Sequence, residues 1–103
     1  MFSYYYLLIV NIDKITPKVI RFLQNSVEDA SDDTGWAFMG DVGSLILKKQ
    51  PNFDSRNYGF EKLTPLIKSI GHFDLEQREN PKSRHKLIFV KNKEKHKGRS
   101  KKS

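Results

Sequence analysis

Cysteine is absent from all 103 residues, and that removes several possibilities at once. There can be no disulfide framework, no thiolate nucleophile and no Cys-ligated zinc, and a reducing cytoplasm is the compartment such a composition fits. Long apolar runs are absent too. Tyr4 to Val10 is continuously apolar, but it falls far short of the ~20 residues that span a bilayer. It also lacks the basic flank and small-residue cleavage site of a secretion signal, so no membrane association is expected. Histidine is scarce: His72, His85 and His96 lie without the i, i+4 spacing of helical metal ligands. Asp32-Asp33 is followed by no further oxygen ligands at calcium-loop spacing and reads as turn chemistry. Gly40-Asp41-Val42-Gly43 lacks the Gly-Lys-Ser/Thr ending of a phosphate loop. With no nucleophile and base, no metal cluster and no carboxylate pair in view, the chain reads as a non-enzyme that needs no cofactor.

What is present is a single domain with an uneven charge. A chain of this length buries roughly two thirds of its unfolded surface, enough for one modest core. The formal charge is +7, yet residues 1–90 hold twelve Lys/Arg against eleven Asp/Glu, whereas residues 91–103 hold seven against one. The tail has no apolar residue beyond the strand that precedes it, so it cannot offset the entropy of ordering, and residues 92–103 are expected to be disordered. Like-charge blocks of this kind often meet polyanions, although a merely solubilising role fits the composition as well. Tyr4 to Val10 suits a buried strand. Such a row must pack on the domain, pair with a second copy to give a homo-oligomer, or meet a partner.

Between these ends the signals alternate. Thr16-Pro17 predicts an N-cap followed by proline at the first helical position, and Val19, Ile20, Leu23, Val27 and Ala30 give the ensuing helix an apolar stripe. Trp36 to Phe38 reads as a short extended stretch. A second helix is expected from Gly40 to Gln50, with Asp41 in its first turn, Lys48 and Lys49 in its last and Pro51 beyond it. Gly43 inside that helix costs about 1 kcal/mol relative to alanine, which suggests close approach of a large neighbour such as Trp36 or Phe60. A third helix would carry Phe60, Leu63, Ile67 and Ile70 on its core face, with Pro65 forcing either a kink or a restart. Phe73–Glu79 and His85–Lys91 then read as two strands of a wing, with Phe73, Leu75, Leu87 and Phe89 facing inward.

The segment Trp36-Ala37-Phe38-Met39-Gly40-Asp41-Val42-Gly43-Ser44-Leu45-Ile46, followed by Arg56-Asn57-Tyr58-Gly59-Phe60-Glu61-Lys62-Leu63, resembles the core of the LOTUS, or OST-HTH, family. The resemblance implies an α+β winged helix-turn-helix of order α-β-α-α-β-β over residues 16–91, three helices plus a β-hairpin wing, in which the short stretch after the first helix pairs with the wing. It also implies RNA binding, with structured, G-rich and G-quadruplex RNA as targets. The bacterial members commonly accompany a NYN ribonuclease domain, a partner that would do the cutting. Some eukaryotic members dock a helicase through an extra C-terminal helix, for which the polar residues after Val90 offer no apolar stripe.

The residues support RNA more readily than duplex DNA. A recognition helix presents hydrogen-bonding side chains to the major groove, but the outer face expected here centres on Glu61 and Pro65. RNA asks for cations and flat side chains. Lys48, Lys49, Arg56, Asn57, Tyr58 and Lys62 cluster around the turn into the third helix, with Lys68 further along it. Lys82, Arg84 and Lys86 decorate the wing. Arg56 beside Tyr58 is the most specific local pair, since an arginine can both meet phosphate and stack on a base. The plainer alternatives are an ion pair from Arg56 to Asp54 or Glu61, and burial of Tyr58 under the wing. A protein-interaction or self-association module and a DNA-binding winged helix remain as other functional classes.

Overall fold

The computed structural model describes residues 13–93. The apolar run Tyr4 to Val10 and the basic residues 94–103 lie outside them. The order of elements is α1 (Pro17–Ala30), β1 (Trp36–Phe38), α2 (Met39–Lys49), a 3-10 turn (Ser55–Tyr58), α3 (Leu63–Ile70), β2 (Phe73–Glu79) and β3 (Lys86–Asn92). Among the described residues, three helices and a three-stranded antiparallel sheet make a winged-helix-like α+β domain.

Thr16 caps α1 as its sequence predicts, its hydroxyl accepting from the Val19 N–H at 3.3 Å. Leu23, Ser26 and Val27 are fully buried, with Val19, Phe22 and Ala30 packed beside the core. Ile20, expected in this stripe, is only half-buried and lies outside it. The helix is turned so that the 19/22/23/26/27/30 positions face inward, which is the i, i+3, i+4, i+7 pattern. Ser26 tolerates burial because its hydroxyl donates to the Phe22 carbonyl at 2.9 Å.

α2 follows β1 without a linker and buries Met39, Val42 and Ile46. Gly43 does not serve the purpose its sequence suggests. A Cβ there would meet only Leu63 Cδ2 at 3.7 Å, an ordinary contact, and neither Trp36 nor Phe60 approaches it. The tight position is Gly40, where a Cβ would stand 2.6 Å from the Phe38 ring.

The third helix starts later than expected. Residues 55–58 form a separate 3-10 turn ended by Gly59 at φ 89°, a left-handed conformation that glycine adopts without steric cost. Because α3 begins at Leu63, Pro65 is its third residue, whose N–H would have no helical partner in any case. The proline neither kinks nor breaks the helix. Leu66 and Ile67 are fully buried, Leu63 and Ile70 pack beside the core, and Phe60 stands ahead of the helix, half-buried and outside the core cluster.

The strands are ordered β1-β3-β2, so the short stretch at Trp36 does pair with the wing. Ala37 and Leu75 both stand opposite Val90. Val90 is 0% exposed, and Ile88 packs on the core beside it. The inward face of β3 is therefore Ile88 and Val90, not Leu87 and Phe89 as their alternation with Lys86 suggests. A one-residue change of phase exchanges the two faces of a strand, and here pairing with Ala37 and Leu75 sets it. β3 also runs one residue beyond Lys91. Asn92 Nδ2 donates to the Gln24 carbonyl of α1 at 3.0 Å, and the Lys93 N–H donates to the His72 carbonyl at 3.1 Å.

Two stability changes follow from these contacts. Gly43→Ala should stabilise the domain by about 0.5–1 kcal/mol, since the added methyl has room and the helix gains propensity. Asn92→Asp should destabilise it by about 3 kcal/mol, because a carboxylate would face the Gln24 carbonyl with no donor between them. Urea unfolding of each variant measures both.

Candidate nucleic-acid interface

The 3-10 turn carries three of the residues expected to act together. Asp54 opens it, one carboxylate oxygen accepting the Arg56 backbone N–H at 2.9 Å. The Arg56 side chain folds back on the same carboxylate, Nη2 to Oδ2 at 2.9 Å and Nε to Oδ1 at 3.2 Å. These bonds hold the Asp54 carboxyl below its ordinary range and raise the Arg56 guanidinium. Both stay charged throughout the neutral range. Asp54, with its folded value depressed, supports the turn above the usual carboxylate pKa and loses that support as pH falls through the lowered value. The plainer reading of Arg56 is thus part of the picture, but its side chain keeps 73% exposure. A surface pair of this kind is screened by solvent and contributes little, so phosphate can compete for the guanidinium.

Tyr58 is not under the wing. Its ring stacks on Phe53, centroids 5.8 Å apart at 30°, and Phe53 lies 6.1 Å from Phe22 of α1. Lys49 stands at the other end of this aromatic row, its Nζ 6.0 Å from the Phe22 ring and 2.8 Å from the Asp29 carboxylate. Lys49 and Tyr58 therefore belong to one surface, joined through two phenylalanines that carry no signal of this role in the sequence. Asn57 is exposed, and its carbonyl accepts the Asp13 N–H at 2.7 Å, which fastens the approach to α1 onto the turn.

The other cations lie elsewhere. Lys48 is exposed near the end of α2. Lys62, at the N-cap of α3, borders a groove of about 200 Å³ with Leu47, Gly43 and Leu63. Lys68 borders a shallow hollow with Leu75 and Ile88 against the wing. Lys82, Arg84 and Lys86 are exposed around the turn between β2 and β3. On the outer face of the sheet, Arg78 was not among the residues expected to matter. Its guanidinium carbon lies 3.9 Å from the Phe89 ring centroid and 5.6 Å from that of Trp36, while Nε donates to Glu76 at 3.0 Å. Alternation along β2 puts Arg78 on its wet face, but only the true phase of β3 brings Phe89 beneath it.

Among the described residues no group of three or more His, Asp or Glu is placed to hold a metal ion, and no helix is long and apolar enough to cross a membrane. Asp32 instead organises a turn, accepting from the Thr34 hydroxyl and, at 2.8 Å, from the Thr34 N–H, which lowers its pKa.

The OST-HTH/LOTUS domain model matches residues 11–85. The chain belongs to that family. OST-HTH/LOTUS domains are a non-catalytic type of module associated with RNA binding. Two solved structures share the fold. A solution NMR structure of an uncharacterized protein from Nitrosomonas europaea is 37% identical, with a TM-score of 0.68 over 84% of this chain and 80% of that one. Another, residues 175–257 of a protein from Chromobacterium violaceum, is 27% identical, with a TM-score of 0.54 over 82% of this chain and 94% of that one. No curated protein matches the chain. The OST-HTH/LOTUS match ends before β3, although β3 is the strand on which the other two pair.

The Arg56–Asp54 pair generates a prediction. Asp54→Asn keeps an oxygen for the Arg56 N–H while removing the charge that holds the guanidinium, and should tighten RNA binding about two- to fivefold. Fluorescence anisotropy against Glu79→Gln, an equal change of charge on the wing, checks it: equal gains would remove Arg56 from the interface.

Proposed function

We propose that this OST-HTH/LOTUS domain is a non-catalytic RNA-binding module that recognises structured RNA, G-rich and G-quadruplex RNA above all, and acts beside a NYN-type ribonuclease that performs the cleavage. The observation that carries the reading is the 3-10 turn, where a largely exposed arginine and a stacked tyrosine stand two residues apart. The guanidinium meets phosphate and the ring offers a flat face, while Lys48 and the wing cations Lys82, Arg84 and Lys86 extend the contact to backbone phosphates. The short α3 supports RNA over duplex DNA. Its exposed positions are Pro65, Lys68 and Ser69, and the Ser69 hydroxyl is already committed to the Leu66 carbonyl at 2.7 Å, which leaves little to read base edges in a major groove. The Chromobacterium domain is numbered from residue 175, so in that protein a stretch of chain precedes it. Self-association through Tyr4 to Val10 belongs to the same proposal as a separate property, tested by solution mass with and without residues 1–12.

Residues 94–103 hold five Lys/Arg and one Glu, and in this reading they supply sequence-independent attraction. The logarithm of affinity for single strands changes by about −0.7 per neutralised phosphate against log salt, so removing residues 94–103 should flatten that slope by about two to three units. An unchanged slope would make the segment a bystander. Arg56→Ala with Tyr58→Ala should weaken binding to a folded G-quadruplex RNA at least tenfold and to oligouridine much less, measured with duplex RNA and duplex DNA at one salt concentration. Equal losses on all four would reduce the interface to plain electrostatics, and preference for duplex DNA would overturn the RNA reading.

A further inference from the structure

We propose that the cleft between α1 and the 3-10 turn is a pocket for one unpaired nucleobase and its phosphate. The inference rests on the RNA-binding reading and deepens it by naming what part of a structured RNA the domain selects. Lys18, Arg21, Phe22 and Asn25 are spaced i, i+3, i+4 and i+7, so they share one face of α1, next to the face that enters the core. Opposite them stand Phe53 and Tyr58, and the cleft they enclose measures about 350 Å³. That is within the size range of small-ligand sites. The Asp13 N–H donates to the Asn57 carbonyl at 2.7 Å and so ties the chain ahead of α1 to the turn.

The chemistry of the walls identifies the occupant. Phe22, Phe53 and Tyr58 form a continuous row of rings, and a base stacks favourably on such a surface whatever its identity. The side-chain amides of Asn25 and Gln50, both exposed beside that row, each offer a donor and an acceptor to the edge of a base. Among the described residues no carboxylate lines the cleft. Its two cations, Lys18 and Arg21, are exposed and enter no ion pair among the described residues, unlike Lys49 and Arg56. Uncommitted positive charge beside stacked rings and free amides complements a nucleotide. A base inside a duplex has both faces and its pairing edge occupied and cannot enter. The pocket therefore selects a bulge, a loop or a strand end.

The test uses the full chain and three blunt-ended, loop-free RNA duplexes of one sequence: fully paired, with a single-nucleotide bulge, and with an abasic residue at the bulge. The bulged RNA should bind about tenfold more tightly than the other two. Arg21→Gln with Asn25→Ala, both exposed on α1, should abolish that preference while leaving affinity for the fully paired duplex within about threefold. An equal loss on all three RNAs, or no preference in the unmodified chain, overturns the pocket and leaves the RNA-binding reading standing. If none of the RNAs binds, that reading falls, and amide shifts on adding AMP or GMP decide the cleft alone. Shifts confined to Phe22, Asn25, Phe53 and Tyr58 support it, and their absence removes it.

Discussion

The side chain of Val90 lies between Ala37 on one neighbouring strand and Leu75 on the other, fully out of contact with water. β1 has only three residues, and among the described residues it has no other strand beside it and β2 pairs with nothing but β3. The sheet therefore exists because its last strand enters the middle. Asn92 then binds that strand to the backbone of α1. Long-range closure of this kind makes the helices and the wing one cooperative unit, since neither half can bury its apolar face alone.

Much of this architecture is legible in the residues. Thr16-Pro17 marks the start of α1, the charges at Asp41 and Lys48–Lys49 bracket α2, and the motif around Trp36 and Arg56 points to the family. What escapes is phase. Leu87-Ile88-Phe89-Val90 is apolar throughout, so alternation cannot say which pair faces inward, and the answer comes from partners tens of residues away. The stripe of α1 is ambiguous for a similar reason, because Val19-Ile20 and Phe22-Leu23 each offer two adjacent apolar positions. Gly43 misleads because a costly residue in a helix suggests a close neighbour, whereas the neighbour that needs bare backbone sits at Gly40.

The interface was only partly readable. Arg56, Asn57 and Tyr58 are brought together by local chain geometry, which a motif can reveal. The row from Tyr58 through Phe53 to Phe22 depends on the packing of α1 against the α2–α3 connection, and nothing in the spacing of those residues announces it. Lys49 illustrates the electrostatic side of the same limit: a cation placed by helical position on an outer surface is drawn instead to Asp29 and the Phe22 ring. Positive charge on this domain is accordingly divided between residues held by internal carboxylates and residues left to the solvent.

Pro65 occupies the last position in α3 at which a missing amide hydrogen is harmless. Leu63 is thus the earliest residue from which the helix can be wound. Replacing that single imino acid by an ordinary helix former would remove the stop and let winding spread backward over Glu61 and Lys62 toward Gly59. Those side chains would swing to new bearings around the axis, so one codon governs how many turns the domain presents and which charges ride on them.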